Sequence, residues 1–398
     1  MITVFADKKE AGTLEYLPDE REYIYNYSCD NPVSLRMPFS VKSYVSRFHI
    51  HPIFDMNMPE GYLFSLFKNL LTKEYGEIND YILFTHLSKS IDGYLTYENQ
   101  LPSEENQYPY LEDVLKSTDE NLFNQLVKLF LNRSAVSGVQ PKVLTSFFDK
   151  AALSCKEYIV KSFTDEYPDL AENEFFCMNA MKYAGIPVPI FKISDNKKLF
   201  VTQKFTYNSS NNSFYGFEEF CVLFDFNKEQ KYNGSYEQLA KAIYKISTSK
   251  ENDLKIFFKM IIMNFLLKNG DAHLKNFGIL YTADKKKRFL APAYDVVCTT
   301  VYLPHDKPAL TLYGGKIWVK KQTLIRFGVE YCLLDTACAL TLFDECVEAV
   351  LLIKREITQY ILDNVAFKKT GEKMIRIIDF SLSENLNTTF KELPDGIL

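Results

Sequence analysis

The segment Asp271-Ala272-His273-Leu274-Lys275-Asn276 carries a carboxylate and a carboxamide separated by four residues, and Asp295 follows further along the chain. Phosphoryl transfer asks little covalent chemistry of a protein. It needs a carboxylate to orient or deprotonate the acceptor hydroxyl, and oxygen ligands to hold magnesium on the phosphates. An Asp, four residues and an Asn on one loop, with a further Asp beyond a short hairpin, is the arrangement that protein kinases use for both tasks. Asp271 alone reads as the residue after a helix stop, and Asn276 alone as a turn former. The three together, in that order, point to phosphotransfer. A Walker-type phosphate loop offers no rival, because G-x-x-x-x-G-K-[ST] is absent from the chain.

These residues need elements to place them. The apolar stretch from Leu254 to Leu267 predicts a buried helix that stops at Lys268-Asn269-Gly270. Phe277–Tyr281 and Arg288–Ala291 predict a short strand pair, which sets Asp295 just past a hairpin. Upstream, a phosphate-covering turn is expected between two strands. Ser137-Gly138-Val139-Gln140-Pro141-Lys142 supplies small residues whose N–H groups can approach phosphate oxygens, and a cation. Lys161, near the end of the strand Tyr158–Phe163, is the expected phosphate-binding lysine. Glu172 or Glu174, on a helix over 169–184, is its expected acidic partner. Gly185, Pro187 and Pro189 end that helix. Phe191–Ile193 and Leu199–Phe205 predict two more strands.

The first 110 residues read as a separate unit. Ile2–Phe5 and a strand containing Leu14 and Tyr16 form a hairpin around a turn at Asp7–Gly12, with Tyr23–Tyr27 as a third strand. A helix over 59–75 follows, and Leu101 to Pro109 marks the edge of the unit. Residues 118–132 predict an amphipathic helix capped by Thr118 or Asp119. The polar run Asn208–Ser213 predicts a solvated connector, and from 217 onward the pattern is mainly helical.

Composition narrows the function classes. With 398 residues, 47% hydrophobic and 15% aromatic, the chain can bury cores in two or three domains. A net charge of −5 disfavours direct nucleic-acid binding. The eight cysteines form no C-x-x-C pair and have no zinc-finger spacing, as expected of reduced thiols in the cytoplasm. The N-terminus lacks the basic-then-apolar pattern of a signal peptide. The most hydrophobic stretch, interrupted by Lys255 and Lys259, is too short to span a membrane.

On these residues the chain resembles the HipA family, bacterial serine/threonine kinase toxins of toxin–antitoxin systems, over nearly its whole length. Ser137–Lys142 is similar to that family's S-G-V-Q-P-K loop. Asn269–Phe277 is similar to its N-x-D-x-H-x-K-N-F catalytic loop, and Pro292–Val296 to its P-x-Y-D metal motif. Met58-Pro59-Glu60-Gly61 resembles the L-P-E-G of its N-terminal subdomain.

The resemblance implies an α+β, two-lobed protein-kinase-like fold. An extra N-terminal α/β subdomain would span 1–110, an N-lobe with the glycine loop 111–207, and a mainly helical C-lobe 208–398. It implies ATP and Mg2+ as cofactors, Asp271 as catalytic base, and Asn276 and Asp295 as metal ligands. Ser137, Gly138, Val139, Gln140, Lys142 and Lys161 would bind phosphates. Gln203, Lys204 and Phe205 match the strand segment at adenine, and His273, Lys275 and Tyr294 would line the nucleotide site.

Family members phosphorylate a serine of their own phosphate-covering loop, many within S-x-S. Here Ala135 stands at the first of those serines, which leaves Ser137 as the candidate and Ser134 as the second choice. The implied substrate is a serine of a cellular protein such as an aminoacyl-tRNA synthetase, whose modification stalls translation and growth. The implied partner is a small helix-turn-helix antitoxin, so that DNA is reached only through it and no membrane is involved. Two alternatives share the scaffold: a small-molecule kinase, and a catalytically silent adaptor for an antitoxin–DNA complex.

Overall fold

The computed structural model describes residues 1–58, 61–100, 109–119, 121–133, 150–154, 157–163 and 167–386. The chain divides into two compact units. One comprises residues 1–166 and 191–230, the other 167–190 and 231–398.

The first unit opens with strands β1 (Ile2–Ala6) and β2 (Lys9–Leu17). They are joined by Asp7 and Lys8, both in the left-handed region at φ 50° and 63°, as a tight two-residue hairpin turn requires. The turn is therefore shorter than the expected stretch to Gly12, which lies inside β2. The reason is steric rather than conformational. A Cβ on Gly12 would sit 2.0 Å from the Asn26 carbonyl oxygen of β3 (Glu22–Tyr27). With β4 (Tyr44–Arg47) and β5 (Leu95–Glu98), these strands form an antiparallel sheet of order β4-β3-β2-β1-β5. Ile2, Val4 and Ala6 alternate inward along β1.

Helices α1 (Pro52–Asp55), α2 (Gly61–Tyr75) and α3 (Asp80–Leu87) accompany the sheet. Phe54 anchors an aromatic core, with ring centroids 5.5 Å from Tyr25 and 6.0 Å from Phe84. Phe84 in turn meets Tyr97 edge-on at 4.8 Å.

After α4 (Leu111–Lys116), α5 runs Leu122–Arg133, a turn later than expected. Asp119 turns the chain first, accepting the Asn121 N–H at 2.8 Å through its carboxylate and the Leu122 N–H at 3.2 Å through its carbonyl. A second antiparallel sheet takes β6 (Lys150–Ser154) and β7 (Tyr158–Phe163). The chain then leaves for α6 (Leu170–Tyr183) in the other unit. It returns as β8 (Phe191–Ile193) and β9 (Leu199–Gln203), giving the order β6-β7-β9-β8.

The expected solvated connector at 208–213 is exposed over 209–212 and is framed by a small hairpin of β10 (Tyr207–Asn208) and β11 (Ser213–Phe214). The Tyr207 and Phe214 rings, 5.3 Å apart, flank the polar run and close it. Strand β12 (Gly216–Glu219) and helix α7 (Phe220–Leu223) complete the unit. Buried Glu218 accepts the Ser34 hydroxyl at 2.9 Å and the Leu35 N–H at 2.7 Å.

In the second unit, α6 ends at Gly185, which adopts φ 70°. Helix α8 (Tyr236–Ile246) begins with a reciprocal capping box between Ser235 and Gln238. Helix α9 (Lys250–Leu266) starts one turn before the expected position and is buried through most of its length. The hairpin β13 (Gly278–Tyr281) and β14 (Arg288–Leu290) follows, in the register Ile279 opposite Leu290. Helices α10 (Lys321–Tyr331), α11 (Thr336–Asp363) and α12 (Lys368–Leu386) finish the unit, with α11 packing on α6, α9 and α12. Among the described residues, no helix is long and apolar enough to cross a membrane.

Candidate active site

The loop after α9 is set by a relay of buried amides. Asn264, inside the helix, donates to the Met260 carbonyl at 2.9 Å, and its Oδ1 accepts from the Asn269 amide at 2.8 Å. The Asn269 Oδ1 then accepts the Asp271 N–H at 3.1 Å. Helix termination falls to Lys268, which takes the left-handed conformation at φ 53°. Gly270, expected as part of the stop, has a different task. A Cβ there would lie 2.0 Å from the Oδ2 of Asp306. The absent side chain is what lets the Asp306 carboxylate lie against the loop and bond the Thr299 hydroxyl. The Thr299 Oγ1 also accepts the Gly270 N–H at 2.8 Å.

Asp271 emerges with its side chain 47% exposed, and the Asp271 Oδ1 accepts a hydrogen bond from the Tyr232 hydroxyl at 3.0 Å. The same oxygen is 3.8 Å from Nε2 of buried His273, whose ring meets Tyr232 edge-on with centroids 5.3 Å apart. Asn276 is buried. Its Nδ2 donates to the backbone carbonyls of Asp271 at 3.2 Å and Asp295 at 3.4 Å. One side chain thus ties together the backbone of the two carboxylate residues. Asp295 is held at φ 58°, a costly conformation for a residue with a Cβ and one that clusters at functional sites. The Tyr294 hydroxyl donates to the Lys275 carbonyl at 2.7 Å, and so braces the loop from its far side.

This donor set suits a magnesium ion. Both bonds of Asn276 run through its amide nitrogen, so Oδ1 is the end of the group turned from those carbonyls. Carboxamide and carboxylate oxygens are the hard donors that Mg2+ takes, with phosphate oxygens and water completing the shell. Among the described residues, no group of three or more His, Cys, Asp or Glu side chains converges as a metal site. A kinase-type pair, one Asn and one Asp, is a smaller set than that.

The other expected residues fall as follows. Lys161 is buried on β7, its ammonium 5.5 Å from the centroid of the Phe200 ring on β9. Gln203 ends β9. The Lys204 ammonium donates to the Asp92 carbonyl at 3.0 Å, and its N–H donates to the Glu157 carbonyl at 2.8 Å. Phe205 packs edge-on against Phe217 at 5.2 Å. Glu172 and Glu174 are buried on α6, and Glu172 accepts the Tyr360 hydroxyl at 2.7 Å. Ser134, Ser137, Gly138, Val139, Gln140 and Lys142 lie outside the described residues.

Sequence reasoning missed Tyr232, which lies 39 positions from Asp271, and Thr299 and Asp306, which lie 29 and 36 positions from Gly270; none matches a spacing rule. It also missed Asn173. This fully buried α6 residue donates to the Cys298 carbonyl at 3.1 Å and accepts the Cys298 N–H at 2.9 Å, three residues past Asp295. Burial pushes the Cys298 thiol up to about 12 and the Cys177 thiol well above the ordinary range, so both stay protonated. Lys268, just before the loop, is shifted down by burial against the opposing effect of Glu384, 3.4 Å away.

These elements and this loop define an α+β protein of the kinase-like fold class. Residues 134–354 match the HipA-like C-terminal domain, and residues 2–98 match the HipA N-terminal domain. The chain belongs to the HipA family. The HipA of Shewanella oneidensis, solved with HipB and operator DNA, superposes with a TM-score of 0.71 over 97% of this chain and 98% of that one, at 14% identity. A Haemophilus influenzae protein provisionally named a kinase is 32% identical over 187 residues, 42% of this chain and 53% of that protein. The match therefore spans about half the length of that relative. Y4dM of Sinorhizobium fredii, also provisionally named a kinase, is 25% identical over 74% of this chain and 72% of its own length.

Proposed function

We propose that this chain is an ATP- and Mg2+-dependent serine/threonine protein kinase, acting as the toxin of a toxin–antitoxin pair. The observation that carries the reading is the Asn276 carboxamide bonded to the backbone of both Asp271 and Asp295. It ties the backbone of Asp271, whose side chain is half-exposed, to that of Asp295, the two carboxylate residues that phosphotransfer to a protein hydroxyl would use. In this assignment the Asp271 carboxylate orients the acceptor hydroxyl and takes its proton. The Asn276 Oδ1 and the Asp295 carboxylate would hold Mg2+, which when bound neutralises charge on the phosphates. Lys161 and the Ser137–Lys142 segment would hold the nucleotide phosphates. The segment Gln203–Phe205 would meet adenine. His273, Lys275 and Tyr294 would border the nucleotide through the loop they brace. Ser137, then Ser134, is the candidate for autophosphorylation, and residues 1–110, 111–207 and 208–398 would be the N-terminal subdomain, the N-lobe and the C-lobe.

The substrate class is a serine of a cellular protein, with an aminoacyl-tRNA synthetase the specific candidate, and the consequence is arrested translation and growth in the cytoplasm. A helix-turn-helix antitoxin is the proposed partner, by analogy with the HipB in the Shewanella complex. The net charge of −5 suits a protein that reaches DNA through such a partner. Mass spectrometry of phosphosites in cells expressing wild type or Asp271→Asn tests this. Phosphate on one cellular serine in the wild type alone is expected. Transfer without any labelled protein would favour a small-molecule acceptor, and no transfer at all a silent adaptor.

A further inference from the structure

Residues 231–235 run along the catalytic loop and touch it repeatedly. The Lys231 carbonyl accepts the Leu274 N–H at 3.1 Å. Gly234 lies so close to Leu274 that an added Cβ would be 3.3 Å from its Cδ2. The Tyr232 ring meets His273, and its hydroxyl reaches the Asp271 Oδ1 at 3.0 Å. Tyr232 is held from the other side, since Lys316 Nζ donates to its carbonyl at 3.2 Å and the Lys231 ammonium lies 5.2 Å from its ring centroid. A short carboxylate rotates freely about χ2 unless one oxygen is engaged. Here Tyr232 and His273 both address Oδ1, which leaves Oδ2 as the oxygen turned to other groups.

We infer that Tyr232 is a positioning residue for phosphotransfer. Its hydroxyl pins Asp271 Oδ1 so that Oδ2 is presented to the acceptor hydroxyl. The inference rests on the kinase reading of the site and adds to it a residue outside the catalytic loop. The hydroxyl acts on the orientation of the base, while the ring packs on His273, so losing the hydroxyl alone should appear in kcat and leave the KM for ATP unchanged. Losing one hydrogen bond to a partly exposed carboxylate corresponds to a fall in kcat of about tenfold, or about 1.4 kcal/mol.

The test uses the full chain and labelled ATP with Mg2+. Wild type, Tyr232→Phe, Asp271→Asn and the double variant are compared for transfer, with thermal melting recorded for each. The Phe variant keeps the ring against His273 and removes only the hydroxyl. The expected result is a roughly tenfold lower kcat, an unchanged KM for ATP and an unchanged melting temperature. In the Asp271→Asn background, removing the hydroxyl should cost nothing further.

An unchanged kcat overturns the inference. So does a raised kcat, which would make the hydroxyl a plug on the base. So too does a loss that comes with a lower melting temperature or a higher KM for ATP. Failure of the kinase reading looks different: the wild type itself then transfers no phosphate.

Discussion

Gly270→Ala is the substitution whose consequence the geometry states most sharply. The new Cβ would fall 2.0 Å from Asp306 Oδ2, 2.4 Å from its Cγ and 2.7 Å from its Oδ1. Ordinary carbon contacts begin near 3.4 Å, so the carboxylate must retreat by more than an ångström, or the loop must. Asp306 is not free to move cheaply. It is bonded to the Thr299 hydroxyl and accepts the Lys307 N–H at 2.9 Å, while Thr299 also receives the Gly270 N–H at 2.8 Å. Hydrogen bonds to a charged group contribute roughly 1.5–3 kcal/mol each. Partial solvation of Asp306 trims that, leaving a cost of about 2 kcal/mol. That is about 4–8 °C in melting temperature for a domain of this size. If the loop yields instead, a shift of about 1 Å at Asp271 costs on the order of a hundredfold in rate. Scanning calorimetry and a labelled-ATP transfer assay read both quantities. Asp306→Ala in the same chain removes the obstacle, so the double variant should transfer faster than Gly270→Ala alone. A Gly270→Ala chain with wild-type stability and rate, or one that Asp306→Ala does not relieve, would refute the steric explanation.

Two further predictions concern stability. His51 is buried against Phe54 and held neutral by burial, its pKa down at about 4 from an ordinary 6.5. A depressed pKa contributes stability above the unfolded value that is lost as pH falls through the folded one. Urea unfolding should therefore show wild type losing up to about 3 kcal/mol more than His51→Phe between pH 6.5 and 4, and equal losses would contradict the assignment. Gly12→Ala places a Cβ 2.0 Å from the Asn26 carbonyl oxygen and 2.8 Å from the Tyr25 hydroxyl. It should destabilise the N-terminal sheet by about 1–3 kcal/mol, and a urea midpoint equal to wild type would show that the strands accommodate it.

What was legible in the sequence follows from what local patterns can carry. The hairpin of β1 and β2, the buried helix α9, the hairpin after the loop and the stop at Gly185 all came from alternation, helical spacing or turn chemistry. Short or uniformly apolar elements escaped. Strand β4 has four residues, and the apolar positions of α3 follow no clear helical stripe. By local pattern Gly12 and Gly270 signal a turn and a helix stop, because glycine usually supplies conformational freedom. Both serve close approach by a distant group, Asn26 in one case and Asp306 in the other, and no local pattern reports that. The same holds around the site. Asp271, Asn276 and Asp295 were visible from spacing, whereas Tyr232, Asn173 and Asp306 reach their partners only through the fold.

The most direct measurement is transfer of the ATP γ-phosphate by the purified chain, with Mg2+ and a cell extract as acceptor, for wild type, Asp271→Asn and Asp295→Asn. Asp271, Asn276 and Asp295 as the phosphotransfer site predict transfer by the wild type and loss of at least a thousandfold, about 4 kcal/mol, in each variant, with all three chains folded. Wild-type rates from the folded Asp271→Asn chain would contradict that assignment.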